Sequence, residues 1–415
     1  MANKNVQKTE QQKIVIVGGG MVGVSLAIML SQNFTQEQIA ITLIEQFPLP
    51  ANNALPLFQP SFDDRSTALS AGSVEILKNM DCWSSIASTA QAIQTVHVSD
   101  KGHFTGVQLN AADYGMEAVG YVIENRRLGQ VLLHKLQEHN VECLAPASVS
   151  RCNPKKDGYL LTIEKAKEKE TIEYHANLVL IADGANSSVR QSLGIDVEVT
   201  DYDQSALIAN VALEKDHQNI AFERFTDEGP IALLPLPKID GVFRAALVWT
   251  LPLSKQEGLL ALDADTLLSV LQQRFGYRAG NIIELGETQC YPLKLVQAKE
   301  QVRSNMVVVG NAAHFLHPVA GQGFNLALRD CHTLVECLRE ANSQGKLLGN
   351  YATLKQYMQQ QEKDQDITIY MTDSLVKLFS SSDLPLAVLR QLGFVGLNVL
   401  SPLKHQFAQR MMGLG

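Results

Sequence analysis

Three glycines, Gly18, Gly20 and Gly23, stand in the order G-x-G-x-x-G within "IVIVGGGMVG". The first permits a tight turn, the second lets a phosphate approach the backbone, and the third lets a helix pack close to the preceding strand. Free N–H groups at a helix start attract phosphate charge. Glu45 ends the next predicted strand, where a carboxylate can bind ribose hydroxyls and repel a 2′-phosphate. The pattern predicts a site for FAD or NAD rather than NADP.

Two later segments repeat the order of strand, turn and helix. "LVLIADGANSSVR" reaches its turn at Asp183 and Gly184, and "VVVGNAAHFLHPVAGQGFNLALRD" passes through a glycine-rich loop into a helix. Each segment alone is a weak signal, because such units are common. Three turns at one sheet edge can hold the adenosine, the pyrophosphate and the ring system of a long dinucleotide. Together they favour FAD, held from both ends.

The elements that position these loops follow from the apolar pattern. "KIVIVG" and "ANLVLIADG" are continuous apolar runs, which are typical of parallel strands buried on both faces. "DDRSTALSAGSVEILKNM" has cap-type residues before apolar positions at helical spacing, and it predicts a helix. Residues 203–300 are rich in strand-like runs with one helix, "DADTLLSVLQQRFG". We interpret them as a separate sheet inserted into the nucleotide domain.

The predicted fold class is therefore α/β, with a Rossmann-like nucleotide-binding domain, an inserted mixed β-sheet domain and a helical C-terminus. The chain length of 415 residues accommodates two such units. The predicted domains are a discontinuous nucleotide-binding domain (1–94, 120–200 and 301–375), a substrate domain (95–119 and 201–300) and a C-terminal helical segment (376–415).

The composition limits the kind of partner. A net charge of −8 disfavours nucleic acid, because phosphate contacts require a basic surface. Six cysteines occur without a C-x-x-C pair, so neither a zinc site nor a dense disulfide framework is predicted. The polar start "MANKNVQKTEQQK" has no secretory-signal character, and no apolar run reaches roughly 18 residues. We expect a cytoplasmic protein with reduced thiols.

Three stretches resemble the fingerprints of the para-hydroxybenzoate hydroxylase-like flavin monooxygenases: "IVGGGMVG", "IADGANSSVR" and "GNAAHFLHPVAGQGFNLALRD". The family's last fingerprint usually reads G-D-A-A-H-x-x-x-P-x-x-G-Q-G-x-N. The residues that match it are Gly310, Ala312, Ala313, His314, Pro318, Gly321, Gln322, Gly323 and Asn325. The resemblance covers nearly the whole chain.

The resemblance implies roles for particular residues. The loop from Pro318 through Gly321, Gln322 and Gly323 to Asn325 would meet the flavin ring. Arg65 in "DDRSTALS" matches a flavin-contacting arginine, and Arg126 and Gln130 lie near a further flavin-contacting segment. Gly310 and Asn311 would meet the ribityl chain. Asn311 replaces the family's usual aspartate, and we expect a weaker hydrogen bond because an amide replaces a carboxylate.

Other stretches, among them "AFERFTDEGPIALLPLP" and "CYPLKLVQA", resemble the ubiquinone-biosynthesis branch, in particular the bacterial 2-octaprenyl-6-methoxyphenol hydroxylases. That resemblance implies FAD, NAD(P)H as co-substrate, dioxygen and a polyprenylated phenol, with other proteins of the pathway as further partners. Two alternatives stay open: a flavin-dependent reductase or dehydrogenase without oxygen insertion, and a non-catalytic subunit that holds a quinone precursor. The intact flavin-type loops argue against the second alternative, and absence of flavin from the purified protein would support it.

Two further patterns have less specific interpretations. His314 and His317 have a spacing found in metal sites, but no neighbouring carboxylate or cysteine in the sequence completes a ligand set, so no metal is predicted. The segment "LPLAVLRQLGFVGLNVLSPLKHQFAQRMM" mixes apolar residues with Lys404, His405 and Arg410. It predicts either a helix lying in a membrane interface, hence peripheral contact with the inner membrane, or a helix packed on protein.

Overall fold

The structure, a computed structural model, describes residues 11–50, 63, 65–101, 106–167, 169–316, 321–380, 405, 409, 410, 412 and 413. Side chains of the long helix that ends at residue 380 are described up to residue 374. Pro318, His317 and most of the predicted segment 376–415 lie outside these residues.

The strands and helices are numbered in chain order. The strands are β1 (Gln12–Val17), β2 (Ile39–Ile44), β3 (Ser66–Ser70), β4 (Gln91–Ile93), β5 (Thr95–Asp100), β6 (Gly106–Asn110), β7 (Gly120–Glu124), β8 (Glu142–Leu144), β9 (Ala147–Lys155), β10 (Gly158–Lys165), β11 (Glu170–Ala176), β12 (Leu178–Ile181), β13 (Val197–Leu213), β14 (Ile220–Thr226), β15 (Gly229–Ile239), β16 (Val242–Pro252), β17 (Ile282–Leu285), β18 (Gln289–Ala298), β19 (Val302–Arg303), β20 (Met306–Val308) and β21 (His314–Phe315). The helices are α1 (Met21–Asn33), α2 (Ala71–Asn79), α3 (Trp83–Ala87), α4 (Asn125–Gln137), α5 (Ser188–Ser192), α6 (Leu253–Leu260), α7 (Ala264–Phe275), α8 (Gln322–Ser343) and α9 (Tyr351–Ser380).

A mostly parallel sheet with the order β19-β20-β12-β1-β2-β8 carries the predicted nucleotide loops. Alternate residues of β1 face opposite cores: Ile14 and Ile16 pack with the helical layer, and Val15 and Val17 pack with the cluster formed by β9–β11. Burial on both faces explains the continuous apolar runs. Because β1, β2, β12 and β20 run parallel, the turns that follow them meet at one edge.

The second layer is a larger mixed sheet, in which β18, β13, β16, β15, β14, β5 and β6 are neighbours in that order. One face is covered by α7, where Leu271 and Phe275 pack on Leu247 and Trp249. The other face contacts the small sheet β3-β7-β4 through Ala221 and Ala246, which meet Ile93 and Val122. The insertion is therefore stacked on the nucleotide-binding part of the chain.

The sequence prediction was wrong at residues 66–70. They were expected to begin a helix, but they form β3, which pairs antiparallel with β7 over its whole length. The helix starts only at Ala71, where the Ser70 hydroxyl accepts a hydrogen bond from the backbone N–H of Ser73. Pairing with a strand about fifty residues away outweighs the local pattern, since propensity is a weak signal beside tertiary contact. The short helix α6 was also not predicted.

Among the described residues, no helix is both long enough and apolar enough to span a bilayer.

Candidate active site

The first glycine loop connects β1 to α1. Gly18 has φ of 105°, and a Cβ on it would lie 2.4 Å from the Ala182 carbonyl oxygen. A Cβ on Gly23 would lie 1.9 Å from the Gly18 carbonyl oxygen, so the helix approaches the loop too closely for any side chain there. Gly20 is the N-cap of α1, and no side chain caps this helix start. Its first-turn N–H groups therefore remain as donors for an anion.

Two carboxylates lie beside this loop. Glu45 accepts a hydrogen bond from the Gly19 N–H at 2.6 Å and another from the Phe47 N–H at 2.9 Å. Burial raises the pKa of Glu45, and the nearby carboxylate of Asp183 raises it slightly further. Burial likewise raises the pKa of Asp183. Gly184, with φ of 91°, turns the chain directly after it.

The unsatisfied groups at this edge fit FAD. The Asp183 Oδ1 atom is buried and has no hydrogen-bond partner among the described residues. A buried acceptor without a donor is costly, and hydroxyl groups of a ribose or ribityl chain can supply donors without adding charge. The uncapped start of α1 lies at the same edge and suits a pyrophosphate. This edge therefore offers an acceptor for sugar-type hydroxyls and donors for a pyrophosphate, and a flavin dinucleotide carries both groups.

Arg65 is held between the two layers. Its guanidinium pairs with Asp63, and its charge lies 4.8 Å from the centre of the Tyr291 ring in β18. Asn125 fixes the loop around it, since its side-chain N–H donates to Asp63 at 3.1 Å and its backbone N–H donates to the Arg65 carbonyl at 2.8 Å. Thr67 donates to the Asn125 side chain at 2.6 Å. The arginine is thereby positioned before substrate or cofactor arrives.

Arg126 and Gln130, the other residues expected near the flavin, lie on α4 directly after Asn125. Their spacing of four residues places them on one face of that helix. The structure therefore joins Arg126 to the Arg65 region through β7 and Asn125, while Gln130 lies one turn further along and interacts with Arg127 at 3.4 Å.

The third loop is tied to both neighbouring elements. Gly310, with φ of 61°, packs against Val22 of α1, and Asn311 after it is exposed. Gly321, with φ of 60°, lies beside Ala68 of β3. We call Gly310, Gly321, Gln322 and Gly323 the late glycine loop. Gly310 contacts α1 beside the first loop, and Gly321 contacts the small sheet.

Asn325 links the start of α8 to β3 by side-chain hydrogen bonds. Its side-chain oxygen accepts from the Ser70 N–H at 2.9 Å, and its side-chain N–H groups donate to the Ala68 and Gly321 carbonyls at 2.8 Å. These bonds fasten the start of α8 to β3. Gln322 and Gly323 form the first turn of α8, and a Cβ on Gly323 would meet no described atom within 4 Å.

A buried polar chain supports the segment before this loop. The Nε2 atom of His314 lies 2.6 Å from a carboxylate oxygen of Asp330, and both side chains are buried. The other oxygen of Asp330 accepts from Gln365 at 3.1 Å. The partner of His314 is thus a carboxylate 16 residues further along the chain, at the end of the same fingerprint. His317 lies outside the described residues.

A row of partly exposed side chains crosses the larger sheet on the face opposite α7. Its members are register partners on five neighbouring strands, and we call them the central row: Val98, Glu223, Ala232, Val248 and Ile208. On one side of this row the same-face residues are all buried: Asp100, Phe225, Pro230, Thr250 and Ala206. On the other side Ala221 and Ala246 are buried, whereas Val96, Leu234 and Asn210 are partly exposed. The partly exposed residues indicate a gap between the two layers, and the buried side closes it.

The gap lies next to Arg65, one of the predicted flavin contacts. Tyr291 pairs with Ala206 on the same face as the central row and contacts Arg65. At the other end, Arg244 donates to Glu124 at the end of β7 at 2.7 Å. The central row therefore faces the small sheet that carries β3, and β3 carries Ala68, which contacts the late glycine loop.

Sequence reasoning missed several residues of this region. Asp63 and Asn125 precede two residues that were singled out, and a search for polar neighbours of Arg65 and Arg126 could have found them. Asp330 ends a quoted fingerprint without having been given a role. Tyr291 and Glu223 had no local signal, because only strand register brings them to this face.

The fold and the convergent loops define a flavin-binding protein, and comparison with known proteins agrees. Residues 11–363 match the family described as an FAD binding domain. The chain is 33% identical to ubiquinone hydroxylase UbiL of Rhodospirillum rubrum over 96% of its length and 89% of that protein. It is 32% identical to 3-demethoxyubiquinol 3-hydroxylase of Escherichia coli, covering 97% of this chain and 98% of that protein. The crystal structure of p-nitrophenol 4-monooxygenase PnpA from Pseudomonas putida has the same fold, with a TM-score of 0.77, 17% identity and coverage of 97% and 98%.

The chain belongs to the FAD-binding domain family. Within it, the protein is an FAD-dependent aromatic hydroxylase of the ubiquinone-biosynthesis group. The predictions of fold class, of FAD and of a monooxygenase are thereby confirmed.

Proposed function

We propose that the protein adds one hydroxyl group to the ring of a polyprenylated phenol, with NAD(P)H as electron donor and dioxygen as oxygen source. The observation that carries the proposal is the match to ubiquinone hydroxylases over nearly the whole chain at more than 30% identity. The match covers the inserted sheet, which is the predicted substrate domain, as well as the nucleotide loops.

The gap supports a phenol with an apolar substituent. Four of the five residues of the central row are aliphatic, and the row crosses five strands. Neighbouring strands lie about 4.8 Å apart, so the row extends about 20 Å. Apolar surface of this extent can bury an aromatic ring together with the first part of a prenyl chain.

Different residues described above would bind different parts of FAD. Gly18, Gly20 and the start of α1 would bind the pyrophosphate, and Glu45 and Asp183 would accept hydrogen bonds from sugar-type hydroxyls. Bound FAD would supply electron transfer from NAD(P)H and activation of dioxygen. Asn325 fastens Gly321 and the start of α8 to β3, and packing at this point would help exclude water from the reacting atoms.

The proposal is tested with purified protein, a farnesylated phenol, each nicotinamide nucleotide in turn and isotopically heavy dioxygen. We expect a product that has gained one oxygen atom, that atom coming from dioxygen. We also expect cells that lack the protein to accumulate a prenylated phenol one hydroxyl short. Consumption of NAD(P)H with no oxygen in the product would instead support a reductase. A purified protein without flavin would support a non-catalytic subunit.

We further propose that the C-terminal segment makes peripheral membrane contact. The motivation is its mixture of apolar residues with Lys404, His405 and Arg410, and a substrate that resides in the bilayer. Some of this segment contacts the protein: Met412 is buried beside Phe225, and its carbonyl accepts from the Gly72 N–H at 2.8 Å. A deletion would remove these contacts as well as any membrane contact.

The matched test therefore pairs a deletion with a charge reversal. Deleting residues 384–415, or combining Lys404→Glu with Arg410→Glu, should lower flotation with anionic vesicles by roughly tenfold, since each basic residue near the surface contributes about 1 kcal/mol. The double variant retains Met412 and its contacts. Flotation equal to that of the unchanged protein in both variants would leave the segment with packing as its only role.

A further inference from the structure

Glu223 differs chemically from the other residues of the central row. Its four register neighbours are valine, alanine and isoleucine, and Glu223 alone carries an ionisable group. The side chain is partly exposed, yet no hydrogen-bond or ion-pair partner for its carboxyl is found among the described residues. A lone carboxyl in an apolar row does not stabilise the fold, because its desolvation is not offset.

The environment of this carboxyl is set by burial. Burial raises the pKa of Glu223 to about 7, and no nearby charge contributes to that shift. The charged and titratable groups on the elements packed around this face lie toward its ends and are engaged there: Arg244 with Glu124, Arg65 with Asp63 and Tyr291, and Asp100 at the end of β5. The centre of the row therefore presents one carboxyl to whatever occupies the gap.

We propose that Glu223 is a catalytic residue that binds the phenol hydroxyl of the substrate and accepts its proton during hydroxylation. The inference rests on the proposed function, since it requires a phenol in the gap. Its geometric basis is the register of β5, β14, β15, β16 and β13, which places the carboxyl on the face turned toward β3, and β3 contacts the late glycine loop. The apolar neighbours of Glu223 would contact the ring edges and the prenyl chain.

Glu223 takes up the proton of the phenol and later returns it. The phenol O–H bond breaks, its proton forms an O–H bond with the Glu223 carboxylate, and the electron pair stays on the phenolate oxygen. Delocalisation of that pair increases the electron density of the ring carbon that receives the electrophilic oxygen atom, which the proposed reaction supplies from dioxygen with NAD(P)H as reductant. After oxygen transfer, the ring carbon loses its proton to solvent, and the former phenolate oxygen recovers a proton from the Glu223 carboxyl. The carboxylate is thereby regenerated.

The raised pKa suits this role. A phenol titrates near 10, and a carboxyl at its ordinary value of 4.5 is a weak base toward it. A Glu223 pKa of about 7 lies closer to the pKa of the phenol, and much of the carboxyl is still ionised at neutral pH. Wild-type hydroxylation should therefore rise with pH through about 7, because the protonated form below that pH cannot accept the phenol proton.

The test compares Glu223→Gln, Glu223→Asp and a control, Glu284→Gln, which changes an exposed carboxylate on β17 of the same sheet. With a farnesylated phenol, we expect Glu223→Gln to lower product formation by roughly 100-fold or more, and to abolish the rise through about pH 7. Flavin content and KM for the phenol should change little, since an amide still accepts a hydrogen bond from the hydroxyl. Glu223→Asp should retain part of the activity, and the control should match the wild type.

A second measurement does not depend on activity. The raised pKa destabilises the folded protein as the pH rises from the ordinary carboxyl pKa of 4.5 toward about 7, because ionisation is then penalised only in the folded state. The amide has no such penalty. The thermal midpoint of Glu223→Gln should therefore exceed that of the wild type by an amount that grows over this pH range and then levels off. The Glu284→Gln control should show no such trend.

The outcomes separate the two claims. If the wild type forms no hydroxylated phenol, the proposed function fails and the role of Glu223 fails with it. If the wild type hydroxylates but Glu223→Gln keeps its product yield and its pH profile, only the role of Glu223 is overturned. A thermal midpoint difference that is independent of pH would contradict the desolvated, unpartnered carboxyl from which the inference starts.

Discussion

Gly20→Leu is expected to abolish FAD binding while the protein still folds. Gly20 has φ of −71° and ψ of −178°, an extended conformation that any residue adopts, so the substitution introduces no backbone strain. It places a branched side chain at the uncapped start of α1, where the pyrophosphate must approach the N–H groups. Loss of two charge-assisted hydrogen bonds would cost about 3 kcal/mol or more, which is at least about 100-fold in affinity.

The measurement is FAD bound per chain after gel filtration, together with circular dichroism to confirm folding. Gly258→Leu serves as the matched control, because Gly258 lies on α6 with open space around its Cβ position. Gly23→Ala gives the opposite reference: its Cβ would lie 1.9 Å from the Gly18 carbonyl, so we expect a folding defect. A well-folded Gly20→Leu variant with full flavin occupancy would show that the pyrophosphate lies elsewhere.

The nucleotide-binding part of this fold was predictable because its signals are local. A glycine pattern between β1 and α1, and strands such as β12 with buried residues on both faces, leave their mark within about thirty residues. The resemblance to known hydroxylases added the identity of the cofactor. The strand β3 was not predictable, since "STALS" becomes a strand only through β7.

The substrate-facing side was harder to predict from sequence, because it too depends on pairing between distant strands. The five residues of the central row come from strands spread between residues 95 and 252. Which face each one occupies is set by register, and a shift of one residue would turn Glu223 toward α7. Arg65 was found through the resemblance, but its partner Tyr291 lies more than two hundred residues away. Contacts of this kind follow from the assembled sheets.

Gly323→Val is expected to separate oxygen transfer from cofactor binding. The residue lies in the first turn of α8, beyond the Gly321 turn that contacts β3, and its Cβ position is free of described atoms within 4 Å. A valine can therefore be accommodated without displacing the fold, and its branched side chain would extend into the space where the flavin ring is proposed to lie. Most FAD affinity should persist, because the charged pyrophosphate binds at the first loop.

The expected result is near-normal flavin content, with at least about a tenfold fall in product formed per NAD(P)H consumed and a matching rise in hydrogen peroxide. The reason is that a displaced ring or an admitted water molecule diverts the activated oxygen before it reaches the phenol. All three quantities are measured in one assay with a farnesylated phenol, and Gly258→Val on α6 controls for the substitution itself. An unchanged ratio of product to NAD(P)H would limit the late loop to a structural role. Loss of flavin together with loss of product would move the main cofactor contact from the first loop to this one.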